Sequence, residues 1–178
     1  MHPFSRQEQL CLAVMIGLCL NANGLRGAEP AEPVTFKARI ANKATAAAVE
    51  RSFAGAVERL SEPRCQSVLR EFKDASGRTL ADGLEATGRT LQEHMDTLLF
   101  YEGSGERRCG VKGTLAVTAS PGSRVVFICG DAFLHTAFLD QELADVTIIH
   151  EMLHTLGLGE NPPTPREITA RVRSHCQQ

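Results

Sequence analysis

Apolar positions along this chain follow two periods. From Ala44 to Leu60, Val49, Phe53, Ala56, Val57 and Leu60 recur at three- and four-residue spacing, which predicts a helix stopped by Pro63. Arg64–Phe72 predicts a second, shorter helix carrying Val68, Leu69 and Phe72, and Thr90–Phe100 a third with Leu91, Met95, Leu98 and Leu99 inward. Between them, 74–77 (DASG) is a turn and Thr79–Leu84 a short segment of open type. The polar, Gly-rich stretch 102–110 predicts a loop, after which the period changes to two. Residues 113–119 and 124–130 are β-branched and apolar, and SPGS (120–123) joins them as a hairpin. VTFKARI (34–40) alternates as a strand does.

Beyond the hairpin, Asp131–Leu139 reads as irregular or as a short turn of helix. Asp140 is placed to cap a helix bearing Leu143, Val146, Ile149, Leu153 and Leu156 inward, with Gly157 and Gly159 ending it. A last helix has a complete start signal: Thr164 as N-cap, Pro165 at the first helical position and Glu167 at the third. It is expected to run to Cys176.

Composition changes this picture in two ways. The 178 residues carry 19 Lys+Arg against 21 Asp+Glu, net charge −2, with no Trp and one Tyr, so neither charge nor base-stacking side chains favour a nucleic-acid partner. With 43% hydrophobic residues the chain can bury a core. The apolar run Leu10–Leu20 is about half the roughly 20 residues of a membrane-spanning helix and fits a signal-peptide core. Small residues allow cleavage after Gly24, or after Gly27 or Ala28. The expected organisation is thus a signal peptide over 1–28 and one domain over 29–178, secreted or periplasmic, with no stable membrane insertion after processing. Removal of Cys11 and Cys19 leaves Cys65, Cys109, Cys129 and Cys176, an even set in an oxidising compartment. Of three possible pairings, Cys109–Cys129 flanks the hairpin and Cys65–Cys176 ties the C-terminal helix back, so this pair of bridges is favoured.

The chemistry is concentrated in His150-Glu151-Met152-Leu153-His154, an HExxH motif. Residues four apart share a helix face, so both imidazoles can reach one ion, while Glu151 lies about 100° round and can hold a water beside it. A catalytic zinc needs a third protein ligand and an open position. Continuing the motif gives HExxHxxGxxE over 150–160, in which Gly157 turns the chain back and delivers Glu160 as that ligand. Glu167 is the rival, already explained by the Thr164 capping box. His94, His135 and His175 are expected to stay outside the site.

HEMLHTLGLGE resembles the zinc helix of the zincin metallopeptidases, nearest to the HExxHxxGxx(H/D) arrangement of metzincins. It differs in having Glu160 where those have His or Asp, and no methionine after Met152. The order Cys109, hairpin, Cys129, HExxH also resembles the deuterolysin-type secreted peptidases. HEMLHTLGLGENPPTPREIT is most similar to uncharacterised secreted bacterial zincin-like proteins. The resemblance implies an α+β fold, a small twisted sheet over the zinc helix with further helices around it. It also implies a peptide or protein substrate hydrolysed with Zn²⁺ on His150, His154 and Glu160 and with Glu151 as general base. Tyr101 and His135 are the candidates for stabilising the oxyanion, and an exposed edge of the hairpin for binding substrate as an added strand. Two alternatives come from other classes: an inactive zinc-containing binding or scaffold protein of the cell envelope, and a metal-free helical adaptor.

Overall fold

The computed structural model describes residues 34–177; the expected signal peptide, with Cys11 and Cys19, lies outside them. The described chain is α+β. A short strand β1 (Ala38–Arg39) leads into the long helix α1 (Lys43–Ser61), then α2 (Pro63–Gln66), α3 (Val68–Glu71), α4 (Leu80–Ala86) and α5 (Leu91–Met95). Strand β2 (Leu99–Glu102), a 3₁₀ turn (Arg107–Gly110) and the hairpin β3 (Ala116–Thr118) and β4 (Val125–Ile128) follow. The chain ends in α6 (Gly130–Leu139), α7 (Gln141–Thr155) and α8 (Pro165–Cys176). The sheet order is β1-β2-β4-β3, with β1, β2 and β4 parallel and β3 antiparallel at the edge.

One face of this sheet supplies Phe100, Val126 and Ile128 to a core completed by α1, α6 and α7. Phe36, Phe53 and Phe100 stack there with ring centroids 5.5–5.7 Å apart. Helix α7 is the hydrophobic axis of the molecule: Val146, Ile148, Ile149, Met152 and Leu153 are all fully buried. Helix α1 packs closely on it because Gly55 has no side chain. A Cβ there would meet the Asp145 carboxylate at 2.5–2.8 Å, and that carboxylate is engaged by Arg59 at 3.2 Å and Gln141 at 2.7 Å. Asp140 caps α7 through the Leu143 N–H (2.9 Å), and Thr164 with Glu167 forms the capping box of α8, both as the sequence predicts.

Several expectations need correction. Thr90–Phe100 is not one helix. The turn at Asp96–Leu98 ends α5, and Leu99–Glu102 becomes the strand between β1 and β4, with Phe100 opposite Ala38 and Val126. A short apolar run such as Leu98–Tyr101 fits a helical face as well as a strand, and here pairing on both sides decides for the strand. Arg64–Phe72 is two four-residue helices, broken where the Ser67 hydroxyl donates to the Arg64 carbonyl at 2.6 Å. The strands expected over 34–40, 113–119 and 124–130 are shorter than their apolar patterns. Asp131–Leu139 lies in a ten-residue helix, Gly130–Leu139, held by burial of Phe133 and Ala137 rather than by a side-chain cap. The segment after Thr79 is also helical, with the Thr79 hydroxyl capping it.

Both expected disulfides are present. Cys65–Cys176 joins α2 to α8, and Cys109–Cys129 joins the 3₁₀ turn to the end of β4. No helix among the described residues is long and apolar enough to cross a membrane.

His94 docks α5 on α7. Its buried Nε2 donates to the Thr155 hydroxyl (2.8 Å), which itself donates to the Met152 carbonyl (2.7 Å), and burial pushes the imidazole down to about 4. With the folded value below the unfolded one, this histidine's stabilising effect is complete above pH 6.5 and is lost as the pH falls toward 4. The loss amounts to roughly 2 kcal/mol after allowance for solvent screening. Thermal melts of metal-free protein between pH 7 and 4 should therefore show a steeper fall in Tm for the parent than for His94→Gln. Parallel curves would contradict the assignment.

Candidate metal centre

The geometry of the site begins with the end of α7. Gly157 sits at φ +106°, in the left-handed region that favours glycine. Its N–H donates to the His154 carbonyl (3.0 Å) while the Leu158 N–H reaches back to the Leu153 carbonyl (3.2 Å), which is a Schellman closure with Leu158 buried beneath it. Gly159 is not in the left-handed region; the second positive φ of the reversal belongs to Asn161 (62°). The closure aims the Leu158 carbonyl at the His154 ring, where Nδ1 donates to it at 2.7 Å. A carbonyl can only accept, so this bond fixes the proton on Nδ1 and leaves the Nε2 lone pair free.

His150, one turn earlier, is held from the other side: its Nδ1 lies 2.9 Å from the Thr169 hydroxyl of α8. The two Nε2 atoms face each other at 3.0 Å, and the turn after Gly157 brings a Glu160 carboxylate oxygen to 3.2 Å from His154 Nε2 and 4.0 Å from His150 Nε2. These three ligand atoms all lie within 4.8 Å of one another. Around a tetrahedral ion with bonds of about 2.0–2.1 Å, neighbouring ligand atoms stand about 3.3–3.4 Å apart. The observed separations bracket that spacing, and two imidazole nitrogens with their outer nitrogens engaged converge with a carboxylate. The residues therefore fit a small divalent cation. The Glu160 carboxyl is held below its usual range by the His150 imidazole first, with partial burial opposing and the nearby His154 imidazole adding to the lowering.

Glu151 points to the sheet. Its Oε2 lies 2.6 Å from the Thr118 N–H and 2.8 Å from the Thr118 hydroxyl, so the edge strand grips the carboxylate directly. All of its side-chain hydrogen bonds fall on this one oxygen. A second tie, from the Gly122 N–H to the His154 carbonyl (2.8 Å), pins the hairpin turn to the same helix.

Known protein families, curated proteins and solved structures offer no match to this chain. What the site can do is therefore read from its own geometry.

His150, Glu151 and His154 are buried and Glu160 is exposed, at a cleft of about 580 Å³ walled by β3, α7 and the start of α8. Leu115, Val117, Pro121, Leu143 and Pro165 make its sides mostly apolar. In the β3–β4 ladder the Leu115 carbonyl and the Ala119 N–H turn toward β4, so Ala116 and Thr118 turn their peptide groups outward. The Ala116 groups face the cleft; those of Thr118 are taken by Glu151 and, at its carbonyl, by Arg108 (3.0 Å).

The remaining sequence candidates lie elsewhere. Glu167 bonds the Thr164 backbone at 2.8 Å in its capping box. His175 bridges Ser67 and Glu71, His94 sits under Thr155, and His135 is exposed on α6. Tyr101 packs against Phe127 and Arg39, so neither Tyr101 nor His135 lines the cleft. Sequence reasoning missed Thr118, Thr169, Arg108 and the Leu158 carbonyl. Of these only the last had a signal, the glycine that forms the closure.

Glu160→Ala should weaken Zn²⁺ binding by more than about 100-fold, while Glu167→Ala should leave it intact and only lower Tm slightly. Competition against a chromophoric chelator measures both. The reverse ranking would place the third ligand on α8.

Proposed function

We propose that this protein is a secreted zinc-dependent peptidase with a zincin-like site. The observation that carries the reading is the position of Glu151: a carboxylate outside the His150–His154–Glu160 cluster, held by the edge strand and lining the same open cleft. A closed structural zinc site has four protein ligands and no use for such a group. The two disulfides are compatible with an oxidising compartment.

Zn²⁺ on the two Nε2 atoms and the Glu160 carboxylate would supply Lewis acidity for a water and for a scissile carbonyl. The chain's own residues do the rest. Leu158 and Thr169 fix the orientation of the two rings. Glu151 accepts the proton of the attacking water and returns it to the leaving amine. Thr118 holds one carboxylate oxygen and leaves the other for that exchange. The outward peptide groups of Ala116 can pair with an extended substrate, as the hairpin-edge expectation requires.

One observation favours the scaffold alternative: Oε2 of Glu151 is anchored as firmly as a structural carboxylate would be. Glu151→Gln separates the two readings, because an amide keeps a carbonyl for the Thr118 N–H but cannot take up a proton. The variant should keep its fold and metal and lose hydrolysis of a peptide library by more than about 100-fold. Unchanged cleavage by the variant would remove Glu151 as the base. Absence of any cleavage by the metal-loaded parent would support the scaffold.

A further inference from the structure

We propose that Arg108 is a carboxylate-recognition residue of the cleft, and that the peptides this site takes carry a carboxylate one or two residues from the bond that is cleaved. The inference rests on the peptidase reading and adds the substrate class.

Among the described residues that line the cleft Arg108 is the only Lys or Arg; the others are apolar residues, threonines, His150, His154 and the acidic Glu151 and Glu160. Its side chain is half exposed, yet it is not free. Nε donates to Glu106 at 3.2 Å, and Nη2 to the carbonyls of Thr118 at 3.0 Å and Ala119 at 3.4 Å. These bonds use one side of the planar guanidinium and fix its plane, and the Nη1 donors have no protein partner among the described residues. The Nη1 donors, held in this way, are prepared for a carboxylate oxygen, because little side-chain freedom remains to be lost. The backbone beneath it is also tied: Arg108 lies in the 3₁₀ turn that Glu106 caps and that Cys109–Cys129 fastens to β4.

Its distance from the chemistry follows from one residue. The Thr118 N–H is 2.6 Å from the Glu151 carboxylate, and the Thr118 carbonyl is 3.0 Å from Arg108 Nη2. The base and the guanidinium thus flank a single residue of β3. An extended peptide advances about 3.3–3.6 Å per residue, which sets the one- or two-residue separation between scissile bond and carboxylate. The edge strand also ends there for a ligand. Ala116 offers its peptide groups, whereas the Thr118 and Ala119 carbonyls are already occupied by Arg108. A peptide added along β3 therefore meets a cation where further ladder bonds would have been. Either the carboxylate of a chain end or an Asp or Glu side chain satisfies that cation.

The test uses zinc-loaded mature Glu151→Gln protein, so that peptides bind without turnover. Three fluorescein-labelled tetrapeptides of Ala and Leu serve as probes: a free acid, its C-terminal amide, and an amide with one internal Asp. Anisotropy titrations should show at least one carboxylate peptide binding about tenfold or more tightly than the plain amide. Preference for the free acid identifies a chain end, and preference for the Asp peptide identifies a side chain. Adding Arg108→Gln should bring the favoured peptide down to the affinity of the amide, and Arg108→Lys should restore part of the preference. Near-parental circular dichroism and an absence of free thiols establish that the variants are folded. Equal binding of all three probes, or a preference that survives Arg108→Gln, overturns the role of Arg108 while leaving the peptidase reading in place. Failure of every probe to bind, together with no cleavage by the unsubstituted protein, overturns both.

Discussion

The hydrogen bond from His154 Nδ1 to the Leu158 carbonyl is the constraint on which the site depends. It exists because α7 ends in a glycine that can take φ +106°, and that ending turns the next carbonyl under the ring. The same reversal carries Glu160 back over the helix face that bears His150 and His154. Ring orientation, proton position and the placement of the Glu160 carboxylate therefore arise from one local closure of the backbone. The burial of α7 among α1, α6 and the sheet gives that closure a rigid base, since neither imidazole can rotate away without disturbing packed neighbours.

The sheet contributes through its edge. Strand β3 is antiparallel to β4, so every second residue turns its peptide groups outward, and at Thr118 both groups are used. The N–H fixes Glu151 and the carbonyl fixes Arg108. One residue thereby sets the spacing between the Glu151 carboxylate and the Arg108 guanidinium. The bond from Gly122 to His154 holds this edge against the helix at a further point, and the Cys109–Cys129 bridge fastens the turn that bears Arg108 to the end of β4.

Local features were legible in the sequence wherever the determining physics was local. The caps at Asp140 and Thr164, the glycine stop of α7, the hairpin turn and the HExxH spacing depend on neighbours within a few residues, and each is found at the expected place. The two cysteine pairings were legible because they follow from those elements. Strand β2 was not, because Leu98 and Leu99 satisfy a helical face as well as a strand, and only pairing with β1 and β4 decides between them. Helix α6 was hidden by Gly130 and the lack of a capping side chain, and is stabilised by long-range burial of Phe133. Thr118, Thr169 and Arg108 join the site only through tertiary packing, so no spacing rule marks them.

In the proposed reading His150, His154 and Glu160 hold one ion with a position left open beside Glu151. Titration of metal-free mature protein with Co²⁺, followed by visible absorption, tests it most directly. Uptake of one ion per chain with the intense bands of a four- or five-coordinate site, perturbed by a small added ligand such as azide, is the expected result. No uptake, or only the weak absorption of a six-coordinate hydrated ion, would contradict it.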